Sequence, residues 1–87
     1  MMIIIFSKKF KKKYKNLKKG ENQKFKERRN IFLDNCFHPI LNNHALNHPY
    51  ERYRSIDITG DLRVHYERLD EGTALFITID THSNLYK

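Results

Sequence analysis

The segment Lys8–Lys19 holds eight lysines in twelve positions, and it restricts the possible folds more than any other part of the chain. Charged side chains are almost never fully buried without a partner, so most of this segment must face solvent. Its apolar residues nevertheless recur at the spacing of one helical face. The pattern predicts an amphipathic helix that is capped by Ser7, ends at Gly20 and packs on a core through Phe6, Phe10, Tyr14 and Leu17.

The charge of the chain is unevenly distributed. Residues 1–33 carry twelve Lys and Arg against two Glu, a net charge of +10, whereas residues 34–87 carry a net charge of −3. A basic segment of this strength attracts polyanions such as RNA, DNA, an acidic protein or an anionic membrane. We favour such a partner over a solvated lysine face that only keeps the protein soluble.

Size and cysteine usage limit the class of protein. A chain of 87 residues predicts one domain, 1–87, that buries only about 60% of its unfolded surface and is marginally stable. Cys36 is the only cysteine, which indicates a reducing, cytoplasmic setting. The opening MMIIIF is far shorter than the roughly 20 residues of a membrane helix, and its lysines follow the apolar run, unlike those of a secretory signal. We therefore expect no membrane partner.

The remaining pattern predicts an α+β fold. Residues 2–6 read as a short strand, and a second helix runs from about Glu21 to Asn35. Residues 37–52 contain two Pro, three Asn and three His and read as a loop. Residues 55–59, 62–67 and 75–80 alternate with a period of two, which predicts an antiparallel meander with both helices on one sheet face.

Alignment of the apolar faces predicts the strand register. In the first hairpin Ile58 pairs with Leu62, and Gly60 takes a left-handed turn position. Asp57 then lies opposite Arg63, and Ser55 opposite His65. In the second hairpin Val64 is predicted opposite Ile77, and Arg63 opposite Thr78. The second face of the sheet would then carry Ser55, Asp57, Arg63, His65, Phe76 and Thr78.

This second face has two explanations. A solvated face of an antiparallel sheet is common. The mixture of His, Asp, Arg and aromatic side chains on one side favours a functional surface. We expect His65 to be a solvated strand residue, and His38 and His48 to be loop residues.

Two stretches then identify a resemblance. NNHALNHPYERYRSIDITGDLRVHYERL, followed by FITIDTHSNLYK, resembles the YafQ-like branch of the RelE/ParE toxin superfamily. The upstream FSKKFKKKYKNLKK and FKERRNIFLDNCFHPILNNHAL resemble the two N-terminal helices of that family. The resemblance implies a RelE/ParE-like fold and a ribosome-dependent mRNA endoribonuclease (mRNA interferase) that inhibits translation. It also implies a co-expressed acidic antitoxin as partner.

The resemblance also implies site residues. RNA cleavage without metal or cofactor needs a base for the ribose 2′-OH, an acid for the departing 5′-oxygen and cations for the phosphate. His82 matches a position for the acid, and His44 or Asp61 for the base; Tyr86 completes the catalytic set. The RNA- or phosphate-binding set is Arg63, Arg54, Asp57, Lys8, Lys12 and Lys15.

Four residues depart from the family pattern. Asp57 stands where a histidine is usual, and His48, Arg52 and Asp80 stand where glycines are expected. Asp80 adds negative charge near the expected phosphate, and Asp57 is placed to occupy Arg63. These departures leave an attenuated or inactive toxin as an alternative.

Three other functions are weaker alternatives. A ParE-type gyrase inhibitor shares the fold but generally lacks the histidines, and a plain RNA-binding module needs only the basic helices. A zinc site would use loop residues without the paired spacing that zinc favours, namely Cys36, His38, His44 and His48.

Overall fold

The computed structural model describes residues 2–86, and these form a five-stranded sheet with helices packed against it. The sheet order is β1-β5-β4-β3-β2, in which β3, β4 and β5 form an antiparallel meander and β1 runs parallel to β5. This arrangement confirms the predicted α+β fold. The strands are β1 (Ile3–Phe6), β2 (His44–Ala45), β3 (Tyr53–Asp57), β4 (Leu62–Asp70) and β5 (Thr73–Thr81). The helices are α1 (Lys8–Tyr14), α2 (Lys19–Asp34) and α3 (His82–Leu85), with a 3₁₀ turn at Pro39–Leu41.

Ser7 begins α1 as predicted, because its Oγ accepts a hydrogen bond from the Phe10 N–H at 3.0 Å. The predicted helix end at Gly20 is wrong. Helix α1 stops at Tyr14, and Gly20 lies in the first turn of α2. The Lys18 N–H donates to Glu21 Oε1 at 3.0 Å, which caps the start of α2 before the glycine.

The core is built mainly from aromatic rings. Phe10 and Phe25 of the two helices lie 5.5 Å apart between ring centroids, and Phe32 contacts Tyr66 at 5.1 Å and Phe76 at 5.3 Å. All five are at most 2% exposed. Such tilted and edge-to-face pairs add to the stabilisation from apolar burial. The strands and the turn after β3 contribute further buried apolar residues, including Ile56, Ile58, Leu62, Val64, Ala74 and Ile79.

The first hairpin has the predicted register. Asp57 pairs with Arg63 and Ser55 with His65, and the Ile58 N–H donates to the Leu62 carbonyl at 2.8 Å. The predicted conformation of Gly60 is wrong, because its φ lies outside the left-handed region. Thr59 stabilises the turn through its Oγ1, which accepts from the Leu62 N–H at 2.9 Å.

The second hairpin differs from the prediction because its turn lies at Glu71 and Gly72. Val64 lies opposite Ile79, not Ile77, and Arg63 lies opposite Asp80, not Thr78. The pairing also contains two irregularities that cancel in register, with Leu69 as an extra residue on β4 and Ile77 as an extra residue, a bulge, on β5. The bulge also explains why Phe76, predicted on the polar face, is fully buried in the core.

The segment 37–52 is more ordered than the predicted loop. Its 3₁₀ turn is capped by His38, whose Nδ1 accepts from the Ile40 N–H at 3.1 Å. Strand β2 then pairs with β3, which places His44 opposite Ser55. Within residues 2–86, the helices are all too short or too polar to cross a membrane.

We expect Phe32→Ala to lower the free energy of unfolding by about 3–5 kcal/mol, because it empties a fully buried site between Tyr66 and Phe76. Urea unfolding measures the change. Leu69→Ala is the control, since Leu69 is 49% exposed and its loss should cost less than about 0.5 kcal/mol. Equal effects of the two substitutions would contradict this core.

Candidate active site

A cleft of about 420 Å³ opens on the polar side of the sheet. It brings together four of the residues predicted from the sequence, which come from β2, β4 and the two ends of α3: His44, Arg63, His82 and Tyr86. The rest of the lining comes mainly from the segment around β2, namely Asn42, Ala45, Leu46, Asn47, His48 and Tyr50.

The position of His44 fixes which of its nitrogens carries a proton. His44 lies on β2, and its Nδ1 is 2.8 Å from the Asn42 carbonyl oxygen. A carbonyl oxygen only accepts hydrogen bonds, so Nδ1 must be the donor. In the neutral ring the other nitrogen, Nε2, then has a free lone pair. This is the tautomer that a general base needs.

His82 and Tyr86 are held by the short helix α3. Thr81 caps the helix, because its Oγ1 accepts from the Asn84 N–H at 3.2 Å. The His82 N–H donates to the Asp61 carbonyl at 2.8 Å, and the Tyr86 N–H donates to the His82 carbonyl at 3.1 Å. The rings of His82 and Tyr86 lie 4.7 Å apart. The chain is therefore anchored up to Tyr86.

Asp61 joins the site through its backbone. Its carbonyl oxygen holds the His82 N–H, while its side chain is exposed and lies outside the cleft lining given above. Of the two predicted bases, His44 lines the cleft and Asp61 supports the helix that carries His82.

Arg63 is already paired with Asp57. Its Nε lies 2.9 Å from Asp57 Oδ1, and its Nη1 donates to the Thr59 carbonyl at 2.9 Å. The Nε contact lacks hydrogen-bond geometry, so charge attraction joins the two side chains. Both side chains are mostly buried, at 16% and 24% exposed. Asp57 therefore neutralises the cation predicted to bind phosphate.

The other predicted RNA contacts lie elsewhere. Arg54 is on the opposite face of the sheet, where its Nε donates to Asn43 Oδ1 at 2.7 Å and its guanidinium covers the Phe37 ring. Lys8 and Lys12 are exposed on α1, and Lys15 is exposed directly after it. The structure does not bring these four cations together with the histidines.

His65 was expected to be solvated, and this is wrong. It is 7% exposed at the centre of β4, and its Nε2 lies 3.1 Å from the Tyr86 hydroxyl oxygen. Burial, aided by the nearby His44 and Lys9, lowers the pKa of His65 below its usual value. Its neighbours across the sheet, Ser55 and Thr78, are buried as well. The predicted position of His65 in the middle of a strand, opposite Ser55, is the sequence signal that could have indicated its burial.

Asp80 is neutralised by α1. Lys13 Nζ lies 2.9 Å from Asp80 Oδ2, and the Asn84 amide donates to Oδ1 at 2.9 Å. Burial alone raises the pKa of Asp80, but the hydrogen bonds from Asn84, Lys13 and the Thr81 N–H outweigh it and lower the pKa. The negative charge expected beside the phosphate is thus balanced within the protein.

A second cleft of about 310 Å³ lies beside the first. Lys9 and Lys13 line it, together with Tyr50, Tyr53 and His65. These two lysines, and not the predicted Lys8 and Lys12, are therefore the α1 cations that face the polar side of the sheet. The sequence does not indicate which lysines face the sheet, because lysines occupy most positions of α1.

The lowered pKa of His65 predicts a pH dependence of stability. As pH falls below about 6.5, the unfolded chain binds a proton at this residue more readily than the folded chain does. His65 therefore contributes to the free energy of unfolding above that pH, and its contribution declines as the pH falls toward the pKa of His65 in the folded protein. We expect the free energy of unfolding by urea to decrease from about pH 7.5 to about pH 5, and to decrease less in His65→Gln. An unchanged decrease in the variant would contradict the neutral, buried state of His65.

Comparison with known proteins places this fold. No protein-family model matches the sequence, and no curated protein is significantly similar to it. Among solved structures, the chain is similar to YafQ from E. coli, with 21% identity, a TM-score of 0.81 and complete coverage of both chains. It is also similar to the E. coli DinJ-YafQ toxin-antitoxin complex, with 21% identity, a TM-score of 0.79, and 99% of this chain and 98% of that chain covered.

A third similar structure is the heterotetrameric YoeB-YefM toxin-antitoxin complex from Staphylococcus aureus. The identity is 21% and the TM-score is 0.75, with 94% of this chain and 98% of that chain covered. At these identities the likeness concerns the fold. The chain has the fold of the YafQ-like toxins of the RelE/ParE superfamily, as the sequence motifs predict.

Proposed function

We propose that this protein is the toxin of a type II toxin-antitoxin system and cleaves mRNA by metal-free acid–base catalysis. One observation carries the proposal: His44, Arg63, His82 and Tyr86 come from distant parts of the sequence and line one cleft. The similarity of the fold to the YafQ and YoeB toxins supports the assignment as a toxin.

The base in this mechanism is His44. Its Nδ1 is engaged by the Asn42 carbonyl, so the Nε2 lone pair is free to take the proton of a ribose 2′-OH. The 2′-oxygen then attacks the adjacent phosphorus, and the bond from phosphorus to the 5′-oxygen of the next nucleotide breaks. The products are a 2′,3′-cyclic phosphate and a free 5′-hydroxyl.

The acid is His82. In its protonated form it donates a proton to the departing 5′-oxygen, which balances the proton that His44 removes. Tyr86 packs its ring against His82 at 4.7 Å and restricts the orientation of the imidazole. Asp61 contributes by holding the His82 N–H, so it has a positioning role in this mechanism.

Exposed lysines on α1 and directly after it suit a second task. Lys8, Lys12 and Lys15 are exposed and do not line the cleft, so they are available for the phosphates of a large RNA while the cleft holds the message. This separation supports the proposal that the substrate is mRNA on the ribosome, in the cytoplasm.

An attenuated or inactive toxin is the second candidate, and the Arg63–Asp57 pair is the observation that favours it. An arginine held at 2.9 Å by a carboxylate must exchange that partner for the phosphate before it can stabilise the transition state. A chain with this pair has the fold that the reaction needs but binds the scissile phosphate more weakly.

The proposed protein partner is an acidic antitoxin. We expect it to cover the segment Lys8–Lys19, which forms one side of a groove of about 400 Å³ between α1 and α2. The half-buried Phe6 and Tyr14 give this groove its accessible apolar surface, and the buried Phe10 and Phe25 lie at its base. Three cations surround this groove: Lys11, Lys15 and Arg29. Apolar surface with a cationic rim fits an acidic, amphipathic segment. Two of the similar solved structures are toxin-antitoxin complexes, which supports a partner of this kind.

We expect expression of the intact chain to arrest growth and to produce discrete new 5′ ends in a reporter mRNA, detected by primer extension. His82→Ala should remove both effects, because loss of a general acid or base typically costs about a hundredfold or more in rate. His44→Ala should do the same. His38→Asn is the matched control, since His38 is exposed and outside the cleft and an asparagine oxygen can still cap the 3₁₀ turn; it should stay toxic.

Other outcomes separate the alternatives. Harmless expression without new 5′ ends indicates the inactive toxin. Growth arrest with DNA damage, unchanged by His82→Ala, indicates a gyrase inhibitor and refutes the nuclease. New 5′ ends that persist in both histidine variants refute the assigned catalytic residues.

We expect the acidic product of a neighbouring gene to raise the melting temperature of this protein, because a ligand at a hundred times its Kd adds about 2.7 kcal/mol of stability. Lys11→Glu combined with Lys15→Glu should weaken the complex by repelling the acidic segment. The control Lys26→Glu changes an exposed α2 cation outside the groove. Equal weakening by all charge reversals would show that the groove is not the binding surface.

A further inference from the structure

A hydrogen bond inside the protein connects the central strand to the C-terminal helix. His65 Nε2 lies 3.1 Å from the Tyr86 hydroxyl oxygen, and the two rings are 5.6 Å apart. His65 is buried in the middle of β4, whereas Tyr86 is 42% exposed at the end of α3. The bond therefore joins an exposed residue at the end of a short helix to a buried residue of a central strand.

Helix α3 needs such an anchor. It has four residues, and a helix of this length has no stability of its own. Its start is held by the Asp61 carbonyl and by the Asn84–Asp80 hydrogen bond. At its far end, Tyr86 contacts His65 of the central strand.

The ring of Tyr86 lies between two imidazoles. Its centroid is 5.6 Å from that of His65 and 4.7 Å from that of His82. A phenol that is fixed by its hydroxyl group cannot swing away from the sheet, so its ring remains beside His82. The orientation of His82 thereby depends on His65, which does not line the cleft that contains His82.

The chemistry of His65 suits this task. Burial keeps it neutral near pH 7, so it places no positive charge beside a protonated His82. A leucine or valine at this position would fill the space but leave the Tyr86 hydroxyl without its partner.

We propose that His65 is a positioning residue, which holds the Tyr86 phenol and through it fixes the ring of His82 for proton transfer. The inference rests on the proposed function, because it assigns the purpose of this contact to the catalysis of RNA cleavage. His65 is not a catalytic residue in this scheme, since it reaches the substrate only through Tyr86 and His82.

The test compares His65→Leu, Tyr86→Phe and the double variant. We expect the Tyr86 amide to exchange its hydrogen about two to twelve times faster in each, the factor that corresponds to a net hydrogen-bond energy of about 0.5 to 1.5 kcal/mol. We expect kcat for RNA cleavage to fall by a similar factor while KM is unchanged. The double variant should show the effect of one single variant, because all three remove the same bond.

His65→Gln is the conservative variant, since its amide can still bond the phenol, and it should recover much of the loss. The His82 ring resonance in an NMR spectrum should shift in His65→Leu and Tyr86→Phe and return toward its original position in His65→Gln. Wild-type amide exchange and an unshifted His82 resonance in both single variants would overturn the proposal. So would fully additive effects in the double variant.

Two features of the design keep the result interpretable. Tyr86→Phe removes one hydroxyl from a partly exposed residue, so it answers the question if His65→Leu does not fold. Amide exchange and the His82 resonance need no substrate. They therefore report on the positioning contact even if the intact chain cleaves no RNA, which would refute the proposed function separately.

Discussion

The bulge at Ile77 is the constraint on which the rest of the structure depends. Before it, Ala74 and Phe76 point into the core; after it, Ile79 does, so the extra residue changes the phase of β5. A regular strand that kept Phe76 in the core would also turn Thr78 and Asp80 inward. The bulge thus lets one strand contribute to the aromatic core at its start and to the polar face at its end, where α3 begins.

The main elements of the fold follow from the sequence, and the failures come from the second hairpin and from contacts between distant segments. Period-two alternation is enough to predict three strands and the first hairpin, because that turn has no extra residue. A bulge leaves no mark in an apolar run such as Leu75, Phe76 and Ile77, so the burial of Phe76 was missed. The burial of His65 was missed because Tyr86, which contacts it, is distant in sequence. The lysines of α1 cover several of its faces, and therefore only the tertiary contacts distinguish Lys9 and Lys13 from their neighbours.

The candidate site was predictable to a different degree. Sequence motifs identified His44, His82 and Tyr86, which share a cleft. They also grouped Arg54 with Arg63. Arg63 pairs with Asp57, and a strand places residues 54 and 57 on opposite faces, so Arg54 lies on the other side of the sheet. The motifs also marked Asp57 and Asp80 as unfavourable charges. Each has a cation at 2.9 Å, Arg63 for Asp57 and Lys13 for Asp80, so the substitutions come with compensating partners. Pairing across elements is a tertiary property and is not visible in a local motif.

Ser7 has a role beyond that of a helix cap. Its Oγ accepts from the Phe10 N–H and its hydroxyl donates to the Ile77 carbonyl at 2.6 Å, which gives the bulged residue a partner outside the strand ladder. One side chain therefore joins the first turn of α1 to the point where β5 changes phase. A displacement of α1 would therefore pull on the Ile77 carbonyl through this hydroxyl, so the position of the helix and the irregular part of β5 are linked by one side chain.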